Sequence, residues 1–139
     1  MNRSSVFISQ PGVICAAGTD AEHLWISAIE GSQKGIRLVT TAGGQQFYAA
    51  RIEDAALKKT KARLDMRITR IENAAVSQLS LLIEQVRQKY GPARIAVCAG
   101  TCDNGSELSV AGHRTFFAQG SFPKDYTLEE QGADYTASF

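Results

Sequence analysis

Apolar positions along this chain fall into short runs and helical stripes separated by glycine and proline. Val6 and Ile8 share one face of a short strand, and Val13 and Ile14 carry the apolar character past the break at Gln10, Pro11 and Gly12. Thr19 and Glu22 have capping-box spacing, with Thr19 the expected N-cap and Glu22 reaching back to its amide. Leu24, Trp25, Ala28 and Ile29 then make a stripe at helical spacing, and Gly31 can take the left-handed conformation that ends a helix. Gly43 and Gly44 separate residues 36–40 from residues 47–52, which predicts an extended or hairpin segment. Residues 55–63 are polar and basic, a surface excursion with some helix.

A long helix follows. Asp65 is its expected N-cap, and Ile68, Ile71, Ala75, Leu79, Leu82 and Val86 recur three or four positions apart until Gly91 and Pro92 stop it. The same stripe would suit an isolated two-helix coiled coil. Against that, residues 94–100 (RIAVCAG) follow at once as a short apolar run ending in glycine. Helix, tight turn and buried strand predict an α/β layered core, where such a strand needs cover on both faces. Beyond it, residues 103–105 read as a turn, 107–118 as helical, 120–123 as a break and 126–139 as the start of another helix. The chain has no internal repeat and no low-complexity tract.

Composition narrows the class. A chain of 139 residues has the length of one domain with a sizeable core. Its 44% hydrophobic and 21% charged residues are those of a soluble globular protein, and a net charge of +1 gives no global pull toward nucleic acid or membrane. The charge is uneven, with seven basic and three acidic residues in 51–70 against six acidic and two basic in 103–139. Solvated faces account for this most simply; a docking role for the basic stretch is the alternative. No apolar run reaches the length of a membrane span. A signal peptide is not expected, because Gln10, Pro11 and Gly12 interrupt the apolar region, and Ile14 before Cys15 does not suit a lipoprotein cleavage site. Three cysteines cannot all pair within the chain, so a reducing cytoplasm is expected.

Candidate chemistry is sparse. Cys98 and Cys102 form a C-x3-C pair with His113 downstream, but zinc needs four ligands and only Cys15 and the distant His23 remain to complete the set. Cys98, inside an apolar run, reads as a small buried hydrophobe. Cys102 lies in a glycine-rich loop where a reactive thiolate could sit near a helix N-terminus, although no base is identifiable at a predictable distance. Cys15 reads as structural, and His23 and His113 as surface residues. Residues 100–105 (GTCDNG) lack the G-K-[ST] ending of a phosphate loop, and no G-x-G-x-x-G fits. Trp25, within its stripe, is expected in the core. Residue by residue, no catalytic, metal or cofactor set is assembled.

Taken together, the segments resemble the N-terminal part of the β-ketoacyl-[acyl-carrier-protein] synthases, in the thiolase-like superfamily. That family opens with a strand of the type VVITGLGVVSPLG, then a helix carrying a Phe-Trp or Leu-Trp pair, then AGKSGI. Here VFISQPGVICAAG (6–18), EHLWISAIE (22–30) and EGSQKGI (30–36) occupy those places in register. FYAARIE (47–53) resembles the next strand, and Arg63, Leu64 and Asp65 resemble the Arg-Met-Asp that starts the family's long helix. RIAVCAGTCDNG (94–105) sits where an apolar strand runs into a Gly-Ser/Thr-Gly loop, and CDNGSE (102–107) resembles synthases of the aryl-polyene type. Gln10 and Pro11 depart from the family's usual Gly and apolar residue, which alters the first turn.

The resemblance implies an α/β protein, the N-terminal half only of a layered αβαβα thiolase-like fold, as one region over 1–139 that stops before the nucleophile motif. The implied reaction is a decarboxylative Claisen condensation of acyl and malonyl thioesters in fatty acid or polyketide-type synthesis. It needs an activated thiolate and an oxyanion hole, together with neutral histidines that hold the malonyl thioester. In the family the nucleophile is the Cys of a Thr-Ala-Cys-Ser-like motif, and two histidines complete the site. None of Cys15, Cys98, Cys102, His23 and His113 matches these, so no catalytic, cofactor-binding or metal residue is carried over. The chain is therefore expected to supply scaffold, part of an acyl-pocket wall through 107–126 and some interface, and to be inactive alone. The partners implied are acyl carrier protein and a second subunit, as a homodimer or as a heterodimer with a related synthase, in the cytoplasm. Half of a two-half fold should expose apolar surface, so the isolated chain should dimerise, aggregate or associate with its missing half. Two other readings stand beside this one. The chain could be a non-catalytic dimerisation or carrier-protein docking module, with Lys58, Lys59, Lys61 and Arg63 meeting an acidic partner, or an independent thiol enzyme using Cys102.

Overall fold

The computed structural model describes residues 6–61, 65–98, 100, 106–124 and 126. Among these residues the chain is mixed α/β, with four α-helices and one two-stranded antiparallel sheet. The first helix, α1, spans Ala21–Ile29. Its N-cap is Asp20, one residue later than the capping box predicts: an Asp20 Oδ1 accepts from the His23 backbone N–H at 2.8 Å. The shift has a physical cause. A carboxylate is at least as good a cap as a threonine hydroxyl and carries a charge that the helix N-terminus attracts. Glu22 then falls inside the first turn rather than at the position from which it could reach back. The other end follows expectation. Gly31 has φ +60°, its N–H donates to the Ala28 carbonyl at 3.3 Å, and the Ser32 N–H donates to the Ser27 carbonyl at 2.9 Å, a complete Schellman motif.

Strands β1 (Ile36–Thr40) and β2 (Gln46–Ala50) pair antiparallel from Ile36 opposite Ala50 to Thr40 opposite Gln46. The connection is tight: the Gly44 N–H donates to the Thr41 carbonyl at 3.0 Å, and the Thr41 N–H donates to the Gln45 carbonyl at 2.8 Å. Gly44 has φ +80°, the left-handed residue that a hairpin loop of this length requires. The glycine pair therefore marks the turn as expected. One turn of 3₁₀ helix, Asp54–Ala56, begins the basic excursion.

The long helix of the sequence reading is two helices, α2 (Arg67–Ser77) and α3 (Ser80–Tyr90), preceded by Met66 rather than Asp65 as N-cap. The break lies in the accounting of one carbonyl. Ala74 O accepts from Ser77 Oγ at 3.1 Å and from Gln78 Nε2 at 3.1 Å, while the Gln78 backbone N–H turns to Ala75 O at 3.3 Å. Side-chain donors that compete for helical carbonyls tighten and bend a helix in this way. The apolar stripe nevertheless continues across the break, since Ile68, Ile71, Ala75, Leu79, Leu82 and Val86 are all half-buried. Gly91, with φ +77°, caps α3, and Pro92 opens a short 3₁₀ turn, Pro92–Arg94.

Helix α4 spans Ser106–Gln119, in agreement with the helical reading of 107–118. Past Gly120 the chain folds back on it. Phe122 stacks on Phe116 (centroids 4.8 Å apart) and on Tyr126 (4.7 Å), and the His113 ring meets both Phe122 and Tyr126 edge-on. Gly112 makes this possible: a Cβ there would lie 2.3 Å from Tyr126 Cδ2. The turn at 103–105 lies outside the described residues, as does all of the helix expected over 126–139 except Tyr126, which is not helical.

Two expected strands are not formed. Among the described residues, 6–8 and 95–98 have no ladder partner, and Ile8 (95% exposed) and Val97 (87%) face solvent. Ile95 has extended dihedrals (φ −111°, ψ 127°), so the backbone preference is present and the neighbour is not. A strand exists only when another strand takes its N–H and C=O groups. The core is correspondingly small. Leu57 and Met66 are the buried large apolar residues among those described, with Thr69 fully enclosed beside them. Trp25 is 67% exposed rather than buried, and Ile29 one turn along is equally exposed, while Leu24 on the same helix is half-buried. No helix among the described residues is long and apolar enough to cross a membrane.

Candidate functional site

Three open clefts lie among the described residues. The first, of about 400 Å³, is bounded by the 15–19 turn, α1 and the entrance of the hairpin, and both Cys15 and His23 line it. Cys15 is half-buried in a tight turn closed by the Gly18 carbonyl, which accepts from the Cys15 N–H at 2.8 Å. The His23 ring is committed elsewhere: its Nδ1 lies 2.7 Å from Asp20 Oδ2, and the His23 backbone N–H, with the ring as a second contributor, holds the Asp20 carboxyl below its usual range. Cys15 and His23 share a cleft, and no hydrogen bond joins them. Cys98, expected as a buried hydrophobe, is exposed because the strand that would enclose it is unpaired. Cys102 lies outside the described residues, and His113 holds the Ser109 carbonyl through Nδ1 at 2.8 Å. Among the described residues no three His, Cys, Asp or Glu side chains are placed to share a metal ion.

The second cleft, about 440 Å³, lies where the 51–54 segment, the N-terminus of α2 and the first turn of α4 meet. Here the structure assembles a web of charges that sequence reasoning did not find. Arg67, the first residue of α2, donates its backbone N–H to Glu107 Oε2 at 2.7 Å, so a carboxylate forty positions away caps the helix. Its guanidinium reaches Asp54 through Nη1 and the Ile52 carbonyl through Nη2 at 2.6 Å. Arg51 Nη2 meets the other Asp54 oxygen at 3.0 Å. One turn along, Arg70 grips Asp65 with Nε (2.8 Å) and Nη2 (2.9 Å), the two-pronged geometry that guanidinium and carboxylate favour. Asp65 also accepts from the Thr60 N–H at 3.1 Å.

These contacts set the protonation states. The Arg70 guanidinium and the Thr60 amide pull the Asp65 carboxyl down to about 2, and Arg67 does the same for Asp54 in lesser degree. The carboxylates are thus ionised and engaged at neutral pH, which suits a structural tie rather than proton transfer. One carboxyl behaves differently. Glu72 on α2 has a buried Oε2 with no hydrogen-bond partner, and desolvation raises its pKa. It lines none of these three clefts.

The third cleft, about 340 Å³, runs between Ile14, the 55–58 segment and the junction of α2 and α3. Lys58 lines it, and Lys58, Lys59 and Lys61 are all exposed; Arg63 is outside the described residues. Pairs such as Arg51 with Asp54 are hinted at by a spacing of three in the sequence, whereas the Arg67–Glu107 contact joins two elements and has no local signal. The described residues therefore hold a charge web and an exposed basic segment, but no assembled catalytic group among them. No family model matches the chain, and neither a curated protein nor a solved structure matches it.

Proposed function

We propose that this chain is the N-terminal scaffold region of a β-ketoacyl-[acyl-carrier-protein] synthase, inactive by itself. The observation that carries the reading is the register of residues 6–36, where strand-type run, Gly-bounded turn, Leu-Trp helix and glycine exit follow in the family's order. In such an enzyme residues 6–8 and 95–98 would be interior strands of a layered αβαβα core. Their strand-type composition together with their lack of ladder partners fits elements whose neighbours come from elsewhere. The uncovered apolar stripe of α1 fits the same account, as a face that a second half would bury. Condensation itself would proceed at a Cys and two histidines beyond this region: the thiolate takes the acyl group from a donor thioester and releases the donor's thiol, malonyl thioester loses carbon dioxide, and the resulting carbanion attacks the acyl thioester and releases the thiolate. Purified chain incubated with malonyl carrier protein and an acyl donor should release no carbon dioxide and form no condensation product. Turnover by the 139-residue chain would overturn the assignment.

A second reading is supported by one observation, the exposure of Lys58, Lys59 and Lys61 along one segment. A non-catalytic docking module would present this edge to an acidic carrier protein, and binding would weaken with added salt. Titration with acyl carrier protein at low and high salt decides it, and absence of salt-sensitive binding removes it.

A further inference from the structure

No further inference is drawn: the strongest candidate, the exposed apolar pair Trp25 and Ile29 one turn apart on α1, carries nothing beyond the proposed function because nothing in the structure shows what covers it.

Discussion

Gln78 joins parts of the chain that lie 65 positions apart. Its Oε1 accepts the Val13 N–H at 3.1 Å, and its Nε2 donates to the Val13 carbonyl at 2.8 Å and the Thr19 carbonyl at 2.9 Å. One side-chain amide thus serves both backbone groups of Val13, which carries the apolar character past the break at Gln10, Pro11 and Gly12. Gly12 lets the segment come this close, since a Cβ there would sit 2.2 Å from the Ala75 carbonyl oxygen. Replacing Gln78 with Ala leaves those groups without their partner and should cost about 1–3 kcal/mol in urea unfolding, with faster exchange of the Val13 amide. An unchanged unfolding midpoint would show that the clamp is dispensable. Two carboxyls make opposite predictions with pH. Asp65 is depressed to about 2 by Arg70 and Thr60, so its contribution is present above the ordinary carboxylate range and is lost as pH falls from about 4 toward 2. Asp65→Asn should flatten that part of the stability curve; a curve of wild-type shape would mean the pair contributes nothing. Glu72 is raised by desolvation, so folding is penalised once pH climbs past its unfolded value. Glu72→Gln should raise the melting temperature at pH 7 and lose that advantage near pH 3.5, and equal gains at both pH values would exclude desolvation as the cause.

At the scale of elements, what was legible in the sequence was local. The hairpin was written in its glycine pair, the end of α1 in Gly31, the end of α3 in Gly91 and Pro92, and α4 in its composition. Each depends on contacts within a few residues. The features that escaped depend on distant ones. Residues 6–8 and 95–98 have the composition of strands, but a ladder partner cannot be read from either segment alone. The break between α2 and α3 turns on where the Ser77 and Gln78 side chains point, which apolar periodicity does not register. Of the candidate site, the surface position of His23 and His113 was legible, while the Arg67–Glu107 cap was not. A hairpin without a third strand is marginal in water. Its cross-strand amides, including Leu38 opposite Tyr48, should exchange hydrogen faster than those in the middle of α2. Protection of the hairpin equal to that of α2 would reveal cover that the described residues do not provide. Helix α4 offers a separate check. Gly112→Ala favours the helix by about 1 kcal/mol in intrinsic propensity but drives a methyl into the Tyr126 ring. The variant should lose the ring-current shifts that the Phe122–Tyr126 stack produces, and their persistence would show that the ring can move aside without unstacking.

For the whole molecule the central fact is an imbalance. Leu57 and Met66 are the buried large apolar residues among those described, while Phe7, Trp25, Ile29, Leu81, Val97 and Phe117 are exposed. Apolar surface on this scale favours association or dye binding over a solitary monomer. The proposed synthase region, meeting its second half elsewhere, would account for this imbalance. The measurement that tests the account most directly is the coding sequence downstream of the Phe139 codon. The account predicts an in-frame continuation carrying a Thr-Ala-Cys-type motif followed by two histidines at the family's positions. A stop codon there in the native gene, or a continuation without that motif, would contradict it.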